Sequence, residues 1–198
     1  MSSNSVTKFE SLAESNINEK PKYKILVVDP QRCDGCETCE SVCSMAHDNE
    51  FNPLNTRIHR VRIEPIINFA MNCQICDHKH CIEVCQPKAL STDEETGLLV
   101  VNDNKCDGCA ACVKACPYGA IVVHTKKNKA IVCDLCRFTE KGQPQCKEYC
   151  PKDAIFLIEI DPNEKIDPIE RILKIIQKGF PNIDYGKDSI IIRTPDKN

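Results

Sequence analysis

The chain of 198 residues contains no tryptophan, and aromatic side chains make up only 5% of it. Large aromatic side chains carry much of the burial in ordinary cores, so the conventional core is thin and something else must organise the fold. Its seven glycines form neither a G-x-G-x-x-G run nor a Walker sequence, so no loop is expected to cradle a pyrophosphate. No catalytic pair stands out either, which disfavours a flavin- or nucleotide-dependent reductase. No apolar run approaches the roughly eighteen residues of a membrane span, and direct membrane insertion is not expected. Basic charge is not in surplus: 26 Lys and Arg stand against 29 Asp and Glu, a formal net charge of −3. A nucleic-acid partner, which needs a basic footprint, is therefore not expected. The one basic cluster, Lys126-Lys127-Asn128-Lys129, reads as a solvated hairpin loop. The opening MSSNSVTKFESLAESNINEK is polar and shows neither an apolar signal core nor a twin-arginine pair. That argues against the disulfide framework of a small secreted domain.

What the chain does have is cysteine. Its 16 cysteines fall into four quartets with none left over. The first is Cys33-x2-Cys36-x2-Cys39-x3-Cys43 and the second Cys73-x2-Cys76-x4-Cys81-x3-Cys85. The third is Cys106-x2-Cys109-x2-Cys112-x3-Cys116-Pro117, and the fourth Cys133-x2-Cys136-x9-Cys146-x3-Cys150-Pro151. Structural zinc favours C-x2-C pairs separated by one longer loop, and a quartet closed by x3 and repeated along the chain is not that pattern. The third quartet instead matches the bacterial ferredoxin run C-x2-C-x2-C-x3-C-P residue for residue. Four thiolates hold one cubane 4Fe–4S cluster, so the count implies four cubanes and single-electron chemistry. Each site adds about −2 to the charge, taking the loaded protein to roughly −11.

The flanks repeat as well. Lys24–Asp29 (KILVVD) is a β-rich run before the first quartet, and Leu98–Asn102 (LLVVN) precedes the third. Ala120–His124 and Ala154–Ile158 follow the third and fourth. Strand, cysteine loop, short helix and strand thus recur as a ferredoxin unit, giving an α+β fold class. Cys33-Asp34-Gly35-Cys36 and Cys106-Asp107-Gly108-Cys109 are the same tetrapeptide, in which glycine permits positive φ and close approach of backbone N–H groups to sulfur. Pro117 and Pro151 follow their closing cysteines directly, whereas the second quartet reads Cys85-Gln86-Pro87 and the first continues with Ser44. Those two exits are expected to be built differently. Residues 1–22 read as a flexible arm, or one ordered only by a partner. Beyond residue 160, Asp167-Pro168-Ile169-Glu170 opens a helix whose Ile169, Ile172, Leu173 and Ile176 share one apolar face and which ends at Gly179. Ser189–Arg193 reads as a terminal strand, so residues 161–198 form a helix and strand extension, with the helix packing on its own chain.

In two-cluster ferredoxins the fourth cysteine of a run ligates the other cluster. Two pairings are open on spacing: neighbouring quartets, or a nested arrangement of two with three inside one with four. The strand between quartets two and three favours nesting. Around them, CDGCETCESVCSMAH (Cys33–His47), NCQICDHKHCIEVCQPKAL (Asn72–Leu90) and CDLCRFTEKGQPQCKEYCPKDAI (Cys133–Ile155) resemble the four-cluster ferredoxin-like electron-transfer subunits that accompany aldehyde (tungsten) oxidoreductases, carbon monoxide dehydrogenase, hydrogenases and molybdenum bis-pterin enzymes. The resemblance covers roughly residues 25–160. It implies two interlocked ferredoxin-like units, the inner over about 72–125 and the outer over about 23–66 with 126–160. It also implies the ligand sets Cys33, Cys36, Cys39, Cys150; Cys73, Cys76, Cys81, Cys116; Cys85, Cys106, Cys109, Cys112; and Cys43, Cys133, Cys136, Cys146.

The expected role is therefore a non-catalytic electron-transfer subunit in a reducing cytoplasm. It would relay electrons between a catalytic oxidoreductase subunit, of tungsten or molybdenum pterin type, and a second redox partner protein. The alternative is a free-standing polyferredoxin. His47, His78 and His80 lie near complete quartets and read as surface or hydrogen-bonding side chains, with His47 or His78 able to tune a cluster by donating to sulfur. Because metal binding supplies folding energy where a site is not preformed, the metal-free chain is expected to be largely unfolded. Circular dichroism of chelator-stripped protein checks this: loss of ordered secondary structure is the expected result, and a native-like spectrum would contradict it.

Overall fold

A computed structural model of the protein describes residues 23–63, 67–160 and 170. The N-terminal arm, the C-terminal strand and, Glu170 apart, the C-terminal helix of the sequence reading lie outside the described residues. Strand β1 (Tyr23–Val28) leads to helix α1 (Thr38–Asp48), a 3-10 turn (Pro53–Asn55), β2 (His59–Ile63) and β3 (Ile67–Met71). There follow α2 (His80–Glu83), β4 (Leu90–Thr92), β5 (Leu99–Val101), α3 (Ala111–Ala115), β6 (Ile121–Val123), β7 (Ala130–Val132), α4 (Gln145–Glu148) and β8 (Ile155–Ile160).

Every sheet is a two-stranded antiparallel ribbon. Three are local pairs, β2–β3, β4–β5 and β6–β7, whereas β1 pairs with β8 in register from Tyr23↔Ile160 to Val28↔Ile155. That long-range ribbon brings the two ends of the described chain together and encloses everything between them. The helices pair in the same sense, α1 against α4 and α2 against α3. The β-rich runs flanking the cysteines become β1, β5, β6 and β8. The β2–β3 pair was not among the sequence expectations. Its β2 strand carries Arg60 and Arg62 between half-buried neighbours, and only β3 contributes a buried face, through Ile67, Phe69, Ala70 and Met71.

Two separate apolar groups form the interior. The larger gathers Ile25, Leu26 and Val28 of β1, Ile58, the buried face of β3, Leu98, Leu135 and Ile155. The smaller gathers Leu90, Leu99, Ile121, Ala130 and Val132. Fully burying a Leu or Ile contributes about 1.5–3 kcal/mol, and few residues here do so completely. Cysteines belong to both groups, and Cys73 packs against both.

A polar clamp joins the α1 side to the β6–β7 hairpin. The basic cluster does occupy that hairpin, but its lysines are anchored rather than merely solvated. Lys127 Nζ lies 2.6 Å from Asp48 Oδ1, Lys126 pairs with Glu50, and Thr125 N–H donates to Asn55 Oδ1 at 2.9 Å. At the centre His124, only 2% exposed, accepts from the backbone N–H groups of Lys126 and Lys127 at Nδ1. A ring nitrogen that accepts carries no proton, so Nε2–H donates to Asp48 at 3.1 Å. Burial works against the Asp48 charge, but the bonds from Lys127 and His124 hold its carboxyl below the usual range. His124→Ala leaves buried polar groups without a partner, and the cost expected is about 1–3 kcal/mol. Lys126→Ala, at an exposed ion pair, is expected to cost at most about 1 kcal/mol. Thermal unfolding of the loaded variants checks the ranking, and equal midpoints would contradict it.

Candidate metal centres

All sixteen cysteines are free thiols. The loops that carry them share one backbone device. Between the first two cysteines of every quartet sits a residue with positive φ: Gly35 at 75°, Ile75 at 50°, Gly108 at 75° and Leu135 at 56°. This turn aims the N–H of Gly35 at Cys33 sulfur, of Ile75 at Cys73 and of Leu135 at Cys133. For Ile and Leu the left-handed conformation costs roughly 1–2 kcal/mol, which the surrounding packing must offset. The sequence points to this turn only where glycine occupies it; Ile75 and Leu135 carry no such sign.

The exits show a second device. In quartets two, three and four the third residue after the closing cysteine has positive φ (Lys88, Gly119 and Asp153) and donates its N–H to that cysteine's carbonyl. The next residue is a buried alanine in each case, Ala89, Ala120 or Ala154. The N–H of Ala89 reaches Cys85 Sγ and that of Ala154 reaches Cys150 Sγ, both at 3.3 Å. The expectation that the displaced Pro87 gives quartet two a different exit is thus corrected: the turn is set by the αL residue and the small alanine, and proline position is secondary. The first quartet alone differs, because α1 runs on through Cys43 to Asp48. It stops at Asn49, whose φ of 54° ends the helix with an N–H bond back to Met45. Cys39 and Cys43, four residues apart, therefore share one helix face.

The chain brings the cysteines together in four places. One cavity is lined by Cys33, Cys36, Cys39 and Cys150, a second by Cys73, Cys76, Cys81 and Cys116, and a third by Cys85, Cys106, Cys109 and Cys112. Cys43, Cys133, Cys136 and Cys146 are all buried, and Cys43 is close enough to repel the charge of each of the other three. Cys36 and Cys109 are exposed.

Electrostatics states what such a gathering requires. Burial, reinforced by Glu40 and Cys33, pushes the Cys39 thiol up to about 12. Burial together with repulsion from Cys73 and Cys116 does the same to Cys76 and Cys81, each to about 12. Cys136 is lifted to about 11, chiefly by burial, and the fully buried Cys133 further still. Four soft donors that resist carrying charge together become thiolates only against a strongly cationic partner, which an iron–sulfur core supplies. The donor set therefore fits 4Fe–4S clusters. When bound, such a cluster accepts and releases one electron. The chain's own residues fix the sulfurs, direct N–H groups at them and limit water.

Around the fourth gathering lies a polar group that the sequence reading only touched. His47 bonds Asp134 Oδ1 through Nε2 at 3.0 Å and the Cys43 carbonyl through Nδ1 at 2.8 Å. Its Nδ1 is 3.9 Å from Cys43 Sγ, so the carbonyl bond is the closer of the two. Burial disfavours the imidazolium, yet the bonds to Asp134 and Cys43 more than offset it and lift His47 to about 9. His78 and His80 line the cavity of Cys73, stack on each other, and His80 turns to Glu83. Asp134 and His124 carry no motif that marks them; only the fold shows what they face.

Residues 65–160 match the family described as "4Fe-4S dicluster domain". The chain is 36% identical over 163 residues to the "Aliphatic sulfonate oxidoreductase, polyferredoxin-like subunit" of Pyrococcus furiosus, covering 78% of this chain and 92% of that protein. It is 35% identical to "Putative electron transport protein YsaA" of Escherichia coli (strain K12), covering 70% and 91% respectively. It is 34% identical to "Protein NrfC" of the same organism, covering 74% and 70%.

A Cβ on Gly108 would fall 2.4 Å from the backbone oxygen of Asn128, whereas one on Gly35 would meet only the Asn68 side chain, at 2.7 Å. Both substitutions add the left-handed penalty of about 1–2 kcal/mol. Gly108→Ala is expected to be the more damaging, because backbone cannot rotate aside. Bleaching of the cluster absorbance on heating checks this: Gly108→Ala should bleach at the lower temperature, and the reverse order would contradict the packing argument.

Proposed function

We propose that this chain, which belongs to the 4Fe–4S family of iron–sulfur electron-transfer proteins, relays single electrons through four cubanes between two partner proteins. The observation that carries the reading is the gathering of the sixteen thiols into four sets of four. The sets proposed as ligands are Cys33, Cys36, Cys39 and Cys150; Cys73, Cys76, Cys81 and Cys116; Cys85, Cys106, Cys109 and Cys112; and Cys43, Cys133, Cys136 and Cys146. Each set takes three cysteines from one quartet and one from another, so the nested pairing builds an outer unit from the two ends of the described chain and an inner unit between them. A cluster at each set would join loops distant in sequence, in the same sense as the β1–β8 ribbon.

A route through the sets follows from proximity. Cys146 lies close enough to feel Cys39, and Cys81 close enough to feel Cys112. The exposed Cys36 and Cys109 belong to the first and third sets, which makes those two the points of entry and exit. Tunnelling falls steeply with distance, so the other two sets, neither of which has an exposed cysteine, serve as the middle of the wire.

The partner reading rests on the surface. Phe51, Phe138 and Tyr149, each at least half exposed, line one groove of about 380 Å³ with Val42, Met45 and Ala46 of α1. Scattered exposed hydrophobics are ordinary, but three aromatics in one groove suit a stable protein contact. The Pyrococcus furiosus relative is by its name a subunit of an oxidoreductase, which points the same way. The catalytic partner proposed is a tungsten or molybdenum pterin oxidoreductase, and the compartment a reducing cytoplasm; among the described residues no helix is long and apolar enough to cross a membrane. A free-standing polyferredoxin would use the same sites without the contact. Anaerobic purification from the source separates them. The subunit reading expects co-elution with a metal-pterin protein, and elution alone near 22.3 kDa would overturn it. On the purified chain, iron and sulfide should equal four cubanes, with no strong 3Fe–4S signal in paramagnetic resonance; a deficit of one whole cluster would reject the fourfold assignment.

A further inference from the structure

The 3-10 turn hands the chain to β2 through Arg57, and this residue turns inward. Its backbone N–H donates to Cys43 Sγ at 3.3 Å. Its Nη1 is buried and finds no hydrogen-bond partner among the described residues. The guanidinium charge nevertheless reaches three groups of one place: the Cys136 thiol, the Asp134 carboxylate and the His47 ring. The last two lie with Cys136 in a cluster whose donor atoms are within 4.8 Å of one another. A buried guanidinium donor left without a protein acceptor is costly, unless something not made of protein faces it.

That location has a particular electrostatic need. The set Cys43, Cys133, Cys136 and Cys146 is the only one of the four in which every cysteine is buried. One-electron reduction of a cubane adds a negative charge with no proton and no bond change, and low dielectric disfavours that added charge. Burial alone would therefore make this the hardest of the four clusters to reduce. It would stand as a barrier inside the wire, and the charge of Asp134 beside it is already paired with His47. We propose that Arg57 is a redox-tuning residue, its guanidinium, with Nη1 buried, countering the charge of the cluster at Cys43, Cys133, Cys136 and Cys146 and so holding that cluster's reduction potential up, level with its neighbours. The other sets are placed differently. The Cys33 set faces the carboxylates of Asp34 and Glu40, but opens to solvent at Cys36, where water screens charge.

The inference rests on the four-cubane reading, and the test keeps the two apart. Arg57→Met keeps bulk and removes charge; Arg57→Lys keeps charge. Each full-length variant is loaded anaerobically, its iron content measured, and its clusters titrated by potential-controlled paramagnetic resonance. Cys136→Ser identifies the signal that belongs to this set. Arg57→Met is expected to lower that one signal's equilibrium for reduction about tenfold, or about 59 mV for one electron, and to leave the other three in place. Arg57→Lys should return most of the shift. Fewer than four clusters in the unaltered protein would reject the four-cubane reading itself. With four clusters present, no shift in Arg57→Met, or a uniform shift of all four, would overturn the role of Arg57. If Arg57→Met fails to retain iron, Arg57→Gln decides: a downward shift of the Cys136-linked signal supports the electrostatic account, and its absence overturns it.

Discussion

The burial of gathered thiols, with the repulsion between their charged forms added to it, is the constraint on which the rest of this structure depends. Burial and neighbouring sulfurs push Cys39, Cys76 and Cys81 up to about 12, so without a cation the gathered groups hold their protons and have no reason to stay together. An iron–sulfur core reverses the sign of that energy, and the attraction then closes loops that are far apart in sequence. The thin apolar interior follows. With two buried apolar groups and ribbons of two strands each, the described residues have little else to fix their shape.

The backbone is adapted to the same end. Positive φ between the first two cysteines of each quartet, and again three residues after three of the closing cysteines, turns N–H groups toward sulfur and carbonyl oxygen. These are strained positions where the residue is Ile75 or Leu135, and the strain is tolerated because packing and, when loaded, ligation leave the loop no alternative. Outside the cysteine loops, the clamp of His124, Asp48 and Lys127 sets how the α1 side meets the β6–β7 hairpin. Such a contact sets distances between redox centres as well as stability.

Much of this was legible in the sequence because cysteine spacing and short β-rich runs are local signals. The strands around Leu99 and Ile121 and the glycine turns at Gly35 and Gly108 could be read directly. What could not be read depends on residues that meet only in three dimensions. His124 sits at the end of an apolar run and looked like the close of a strand, yet it anchors a clamp to Asp48, which lies 76 positions away. Asp134 resembles any polar neighbour of a cysteine until His47 is found against it. The αL turns at Ile75 and Leu135 were hidden because those residues seldom adopt that conformation, and the Pro87 displacement suggested a difference that the turn geometry does not show.

The central claim is that four cubanes are each held by three cysteines of one quartet and one of another. Anomalous scattering from iron in a crystal of the anaerobically prepared protein tests it most directly. The account predicts four compact iron sites, with Cys150 beside Cys33, Cys36 and Cys39, and Cys43 beside Cys133, Cys136 and Cys146. Fewer than four sites, or a cluster held by Cys33, Cys36, Cys39 and Cys43 together, would contradict it.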